Sequence, residues 1–117
     1  MNWSKELNVA ITVCDKDGTI VEMNDKSQKT FAKSGGGNLV GQSVIDCHPE
    51  PAKSMLKKML VEPITNAYTI EKEGIKKLIY QTPWYENGIY QGLVELSLEI
   101  PFEMKHTIRK ARVESAK

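Results

Sequence analysis

The sequence predicts an α+β domain: a five-stranded antiparallel sheet with short helices on one face and a C-terminal helix. Strand-like segments fall as a pair near the start and a trio in the second half, with helical segments between them and at the end. Strands therefore do not alternate with crossover helices, which argues against a parallel α/β layout. The connections inside each group are also of hairpin type, namely Asp15-Lys16-Asp17-Gly18, Glu73-Gly74 and Glu86-Asn87-Gly88. Such short, Gly-containing links join antiparallel neighbours.

Residues 9–14 and 19–24 are rich in β-branched and apolar side chains and form the first hairpin. Asn24-Asp25 then offers an N-cap to a short helix in "DKSQKTFAKS", anchored by Phe31. Gly35-Gly36-Gly37 ends that helix and is expected to be a mobile connection. "NLVGQSVIDCHPEP" is irregular, with one helical turn around Ser43 to Cys47. Pro49 and Pro51 suit the start of a helix, and Met55, Leu56, Met59 and Leu60 follow at helical spacing opposite Lys57 and Lys58.

Three strands follow in "TNAYTIEKE", "IKKLIYQTPWY" and "YQGLVELSLEI". In the last of them Val94, Leu96, Leu98 and Ile100 alternate with Glu95, Ser97 and Glu99. The apolar set is expected to pack and the polar set to face water. Pro101 stops the sheet, and Met104, Ile108 and Ala111 mark a terminal helix. The organisation expected is one domain over residues 1–117, with a core at about 7–101 and a helical extension over 102–117.

A chain of 117 residues buries roughly two-thirds of its unfolded surface, enough for one core and one small pocket. Hydrophobic residues make up 40% and charged residues 26%, as in an ordinary globular domain. A net charge of +1 gives no electrostatic case for nucleic acid or an anionic membrane surface. "MNWSKELNVA" has no apolar signal core, no run reaches membrane-spanning length, and Cys14 and Cys47 are too few for a disulfide scaffold. A cytoplasmic location is expected.

Several motifs, in this order, resemble those of the PAS sensory family. "DKDGTIVEMN" resembles its first hairpin, D-x-x-G-x-I ending in Asn, and "NDKSQKTF" its N-x-A-x-x-x-x-F helix, with Lys26 where a small residue is commoner. "LVGQSVIDCHPEP" resembles the L-x-G segment and the loop before the long helix. "ENGIYQGLVELSLEIP" resembles the closing hairpin, with Glu99-Ile100-Pro101 where D-I-T often stands. The stretch "GLVELSLEIPFEMKHTIRK" is also similar to small stand-alone bacterial PAS proteins. The resemblance implies a pocket on the inner face of the sheet, and a role in sensing small molecules, light or redox state or in dimerisation. It also implies output to a kinase, cyclase or transcription factor. A chain this short has no room for such an effector, so a homodimer or an effector protein in trans is expected.

The adjacent Cys47-His48 lacks the ligand spacing of structural zinc. In the oxygen-sensing PAS kinases the haem-binding His lies on the long helix, and the matching position is Leu56, which argues against haem of that type. The reactive Cys of blue-light PAS domains matches Val44, which argues against covalent flavin. The cofactor is otherwise open. Cys47 also reads as an inert thiol and His48 as a surface or capping group. The candidate ligand-binding residues are Asn24, Phe31, Cys47, His48, Met55, Met59, Tyr68 and Tyr80. Each has a structural counterpart reading: Asn24 as a helix cap, the methionines as core, the tyrosines as packing mass. Glu95 and Glu99 look like a solvated sheet face, and no catalytic spacing accompanies them or His48, so an enzyme is not expected.

Overall fold

The structure, a computed structural model, describes residues 1–46 and 48–111. Its elements are β1 (Ala10–Asp15), β2 (Ile20–Met23), α1 (Asp25–Thr30), two 3-10 turns (Ala32–Ser34 and Gly36–Leu39), α2 (Ala52–Val61), β3 (Asn66–Lys72), β4 (Ile75–Glu86) and β5 (Ile89–Ile100). The strands form one five-stranded sheet in the order β2-β1-β5-β4-β3, with every pairing antiparallel. The first and last strands are thus neighbours inside the sheet.

Local chemistry sets the hairpins. Asn87 and Gly88 both have positive φ, 52° and 80°, as the type I′ turn between right-twisted strands requires. Glu73 and Gly74 repeat this at 54° and 79°. In the first hairpin the Asp15 carboxylate accepts from the backbone N–H of Asp17 and Thr19 at 2.9 and 3.0 Å, closing the loop with its own side chain.

Asn24 ties three segments together. Its Oδ1 accepts from Ser27 N and Ile11 N at 3.0 and 2.9 Å, and its Nδ2 donates to Ser4 O and Val9 O at 2.9 and 2.8 Å. The first contact caps α1. The others fix β1 and the N-terminal segment against it.

The core cluster comprises Cys14, Ile20, Met23, Leu39, Val44, Leu56, Met59 and Leu93, with Phe31, Ile45 and Leu60 against it. Leu56 and Met59 are the inward side of α2, while Lys57 and Lys58 stay exposed. At the start of α2, Glu50 Oε1 accepts from Ser54 Oγ and Ser54 N. These two bonds hold the exposed Glu50 carboxyl below its ordinary pKa.

Gly92 sits where β5 is pinched between its neighbours. Its φ is +150°, and a Cβ there would collide with Cys14 O and lie 2.6 Å from the carbonyl carbon of Asp15. Trp84, paired with Gly92 across β4–β5, sends its indole N–H over β5 to donate to Cys14 O on β1 at 3.0 Å.

Three expectations are corrected. The faces of β5 are the reverse of those expected. Cys14 pairs with Leu93 and both lie in the core, so alternation turns Glu95 and Ser97 toward the helices and Val94, Leu96, Leu98 and Ile100 outward. The alternation misled because the outer face is itself apolar: Val13, Leu78, Val94, Leu96 and Leu98 are only half-buried there. Secondly, the triglycine is not a loose connection: Gly36–Leu39 is a 3-10 turn with Gly36 buried and its N–H bonded to Phe31 O at 3.0 Å. Finally, residues 102–111 form no helix and are exposed throughout. Met104 and Ile108 meet no partner surface among the described residues, and an isolated helix of this length is marginal in water. Residues 112–117 of that expected helix lie outside the described residues.

Candidate functional site

Between the inner face of the sheet and the α1–α2 segment lies a cavity of about 470 Å³. Cys14, Ile20, Met23, Leu93 and Leu39 make its walls apolar, Phe31 and Val44 close the loop side, and Leu56 of α2 forms the floor. Thr12, Gln81, Glu95 and His48 supply the main polar groups. A smaller cavity of about 280 Å³ adjoins it, lined by Pro51, Ala52, Met55, Asn66 and Tyr68. His48, Leu56 and Gln81 border both spaces.

The polar groups form a row straight across the sheet. Asn66 pairs with Gln81, Gln81 with Glu95, and Glu95 with Thr12, each on the adjacent strand. Asn66 Nδ2 donates to Gln81 Oε1 at 3.0 Å, and Gln81 Nε2 donates to Glu95 Oε2 at 2.8 Å. The direction of this chain follows from Glu95, because a carboxylate only accepts and so must face the amide nitrogen. At the far end Thr12 Oγ1 and Ser27 Oγ are 2.6 Å apart, joining β1 to α1. Burial pushes the Tyr68 phenol above its ordinary pKa, and the negative charge of Glu95 adds to the rise.

His48 is half-buried, and its Nδ1 lies 2.6 Å from Val44 O. A carbonyl only accepts, so Nδ1 carries the proton, and in the neutral ring Nε2 is left as an acceptor. Cys14 is a poor nucleophile: burial pushes its thiol up, and the nearby Asp15 and Glu95 charges push the same way. Among the described residues, no three His, Cys, Asp or Glu side chains come together as a metal site. No helix among them is long and apolar enough to cross a membrane.

The candidates picked out in the sequence divide by position. Phe31 and His48 line the larger cavity; Met55, Tyr68 and again His48 line the smaller. Met59 has no exposed surface and belongs to the core. Asn24 is buried, and its four hydrogen bonds go to the protein itself. Tyr80 lies on the outer face opposite Leu96, since Ile79 and Gln81 on either side of it point inward, so it cannot reach the cavity. Cys47 lies outside the described residues. Thr12, Gln81 and Glu95 were missed, and so was Asn66. The available signal was Gln81 within the apolar run "KKLIYQTPWY", a buried amide that calls for polar partners on the same face.

No protein-family model matches the chain, and no curated protein matches it at a significant level. Solved structures do match. The PAS domain of the histidine kinase ThkA superposes with a TM-score of 0.60 at 21% identity, over 78% of this chain and 98% of that one. The PAS domain of BvgS from Bordetella pertussis gives 0.62 at 18% identity, over 85% and 82%. The chain has the PAS fold. A further structural neighbour is the Aer2 receptor of Vibrio cholerae, described as a dual PAS-haem oxygen sensor, with a TM-score of 0.58, 19% identity and coverage of 80% and 95%. Within this PAS fold, Leu56 and Val44 are buried apolar residues on the cavity wall.

Proposed function

We propose that this chain is a sensory module that binds a small molecule in the cavity beneath its sheet and signals through a partner protein in trans, in transcriptional or two-component regulation. The observation that supports it best is the cavity itself. Its volume of about 470 Å³ is in the range of sites for small ligands, and apolar walls with a few convergent polar groups are the usual composition of such sites. Its PAS-fold neighbours, among them a histidine kinase domain and an oxygen-sensing receptor, favour sensing over catalysis. The cavity makes the alternative of a purely structural adaptor without a ligand the weaker reading. Haem of the oxygen-sensor type fits poorly, because no described Lys or Arg lines either cavity to meet its propionates.

The test is a thermal-shift screen across metabolite classes on the native chain and on Val44→Phe, which fills the cavity from its loop side. A true ligand at a hundredfold excess over Kd stabilises the native chain by about 2.7 kcal/mol, and this shift is expected to vanish in Val44→Phe. No shift with any class, or one that survives the filled variant, overturns the reading.

Association with a second copy is the route we propose for output. The outer sheet face favours it: Val13, Leu78, Leu96 and Leu98 are only half-buried there and Tyr80 is 38% exposed. Sedimentation equilibrium is expected to show a dimer that Leu96→Glu converts to a folded monomer. A native chain that stays monomeric at high concentration would rule this route out.

A further inference from the structure

We infer that the ligand of this cavity is a small organic cation, a protonated primary amine on an apolar body, recognised by Glu95. This deepens the proposed function and rests on the cavity being a ligand site.

The inference starts from what the cavity offers. Glu95 presents a carboxylate to it, yet only one oxygen, Oε2, accepts a hydrogen bond from a described residue, Gln81. Among the described residues no Lys or Arg lines either space, and the one ion pair among them, Lys5–Asp25, involves neither. His48 adds a second acceptor in its neutral form, because its Nδ1 proton is committed to Val44 O. The ionisable groups that line the larger cavity are thus a carboxylate with one oxygen not engaged by a described residue and an imidazole, beside the neutral Thr12, Ser34, Gln42 and Gln81, with no cation among the described residues there.

A half-buried carboxylate on the wall of a solvent-accessible cavity takes part of its solvation from water. An apolar molecule that enters displaces that water and leaves a carboxylate in a low-dielectric space without a counter-charge, which is strongly unfavourable. A carboxylate or phosphate ligand is worse, since it adds like charge at short range. A protonated amine reverses the sign. It donates to Glu95 Oε1 and to His48 Nε2 in a charge-assisted pair, while its apolar body lies against Ile20, Leu39 and Leu93. Gln81 contributes by holding Glu95: its amide is itself fixed from behind by Asn66, so the carboxylate is preset for the ligand.

Three probes of one ring system test this by NMR titration of the cavity amides: indole, tryptamine and indole-3-acetate, each on the native chain and on Glu95→Gln. Tryptamine is expected to bind at least tenfold more tightly than indole, and indole-3-acetate more weakly than either. Glu95→Gln is isosteric and keeps an acceptor for Gln81, and it is expected to erase the preference for tryptamine while indole binding persists. If indole binds but tryptamine gains nothing, or if its advantage survives Glu95→Gln, the amine assignment fails and the cavity reading stands. If none of the three shifts a cavity amide, both fail together.

Discussion

Gly92→Ala is expected to lower the stability of the fold by at least about 3 kcal/mol, combining a strained backbone with a collision. The position has φ of +150°, and an added Cβ would run into Cys14 O and come within 2.8 Å of Asp15 Cα. Both obstacles are backbone atoms of the neighbouring strand, so no rotamer change relieves them. Relief requires β1 and β5 to part, at the site where the Trp84 indole also bridges them. Urea unfolding followed by Trp fluorescence measures the loss. Gly74→Ala is the control: it has positive φ of 79° but open space around it, and is expected to cost only about 1 kcal/mol. Equal effects at the two positions would show that the close approach at Gly92 is not what demands glycine there.

Asn24→Ala is expected to cost about 3 kcal/mol. Losing a helix cap accounts for about 1 kcal/mol of this. The rest arises because Ile11 N and Val9 O lose buried partners, and an orphaned group costs about 1–3 kcal/mol. The variant Asn24→Asp separates the two halves of the network. It keeps acceptors for Ser27 N and Ile11 N but turns an oxygen toward Ser4 O and Val9 O, which can only accept. It is therefore expected to remain well below the native chain in denaturation midpoint. A midpoint for Asn24→Asp equal to the native one would mean that the two donated bonds contribute nothing.

The elements were legible in the sequence because each is encoded locally. Asn24 before a polar turn, Asn87-Gly88 between two strand runs, and Met55 to Leu60 at helical spacing each act within a few residues, and the structure has a cap, a hairpin and α2 at those places. What was not legible depends on register. Whether Leu93 or Val94 faces inward is decided by which one meets Cys14 across the sheet, and that pairing joins residues far apart in the chain. With both faces of β5 partly apolar, period-two patterning had no means of choosing. The row of Thr12, Glu95, Gln81 and Asn66 was invisible for the same reason. These residues lie on four strands and become neighbours only in the assembled sheet. The terminal stripe failed in the other direction: Met104 and Ile108 have helical spacing, but no surface among the described residues receives them.

The adjacency of β1 and β5 has a consequence for how the chain is made. During synthesis Ala10–Asp15 emerges long before its main partner, Ile89–Ile100, is translated. Until then the middle of the sheet does not exist, and the nascent polypeptide carries an unpaired strand edge on the ribosome. Long-range closure of this kind is slow and exposes such edges to other chains, so the sheet cannot close until β5 is available to pair with β1.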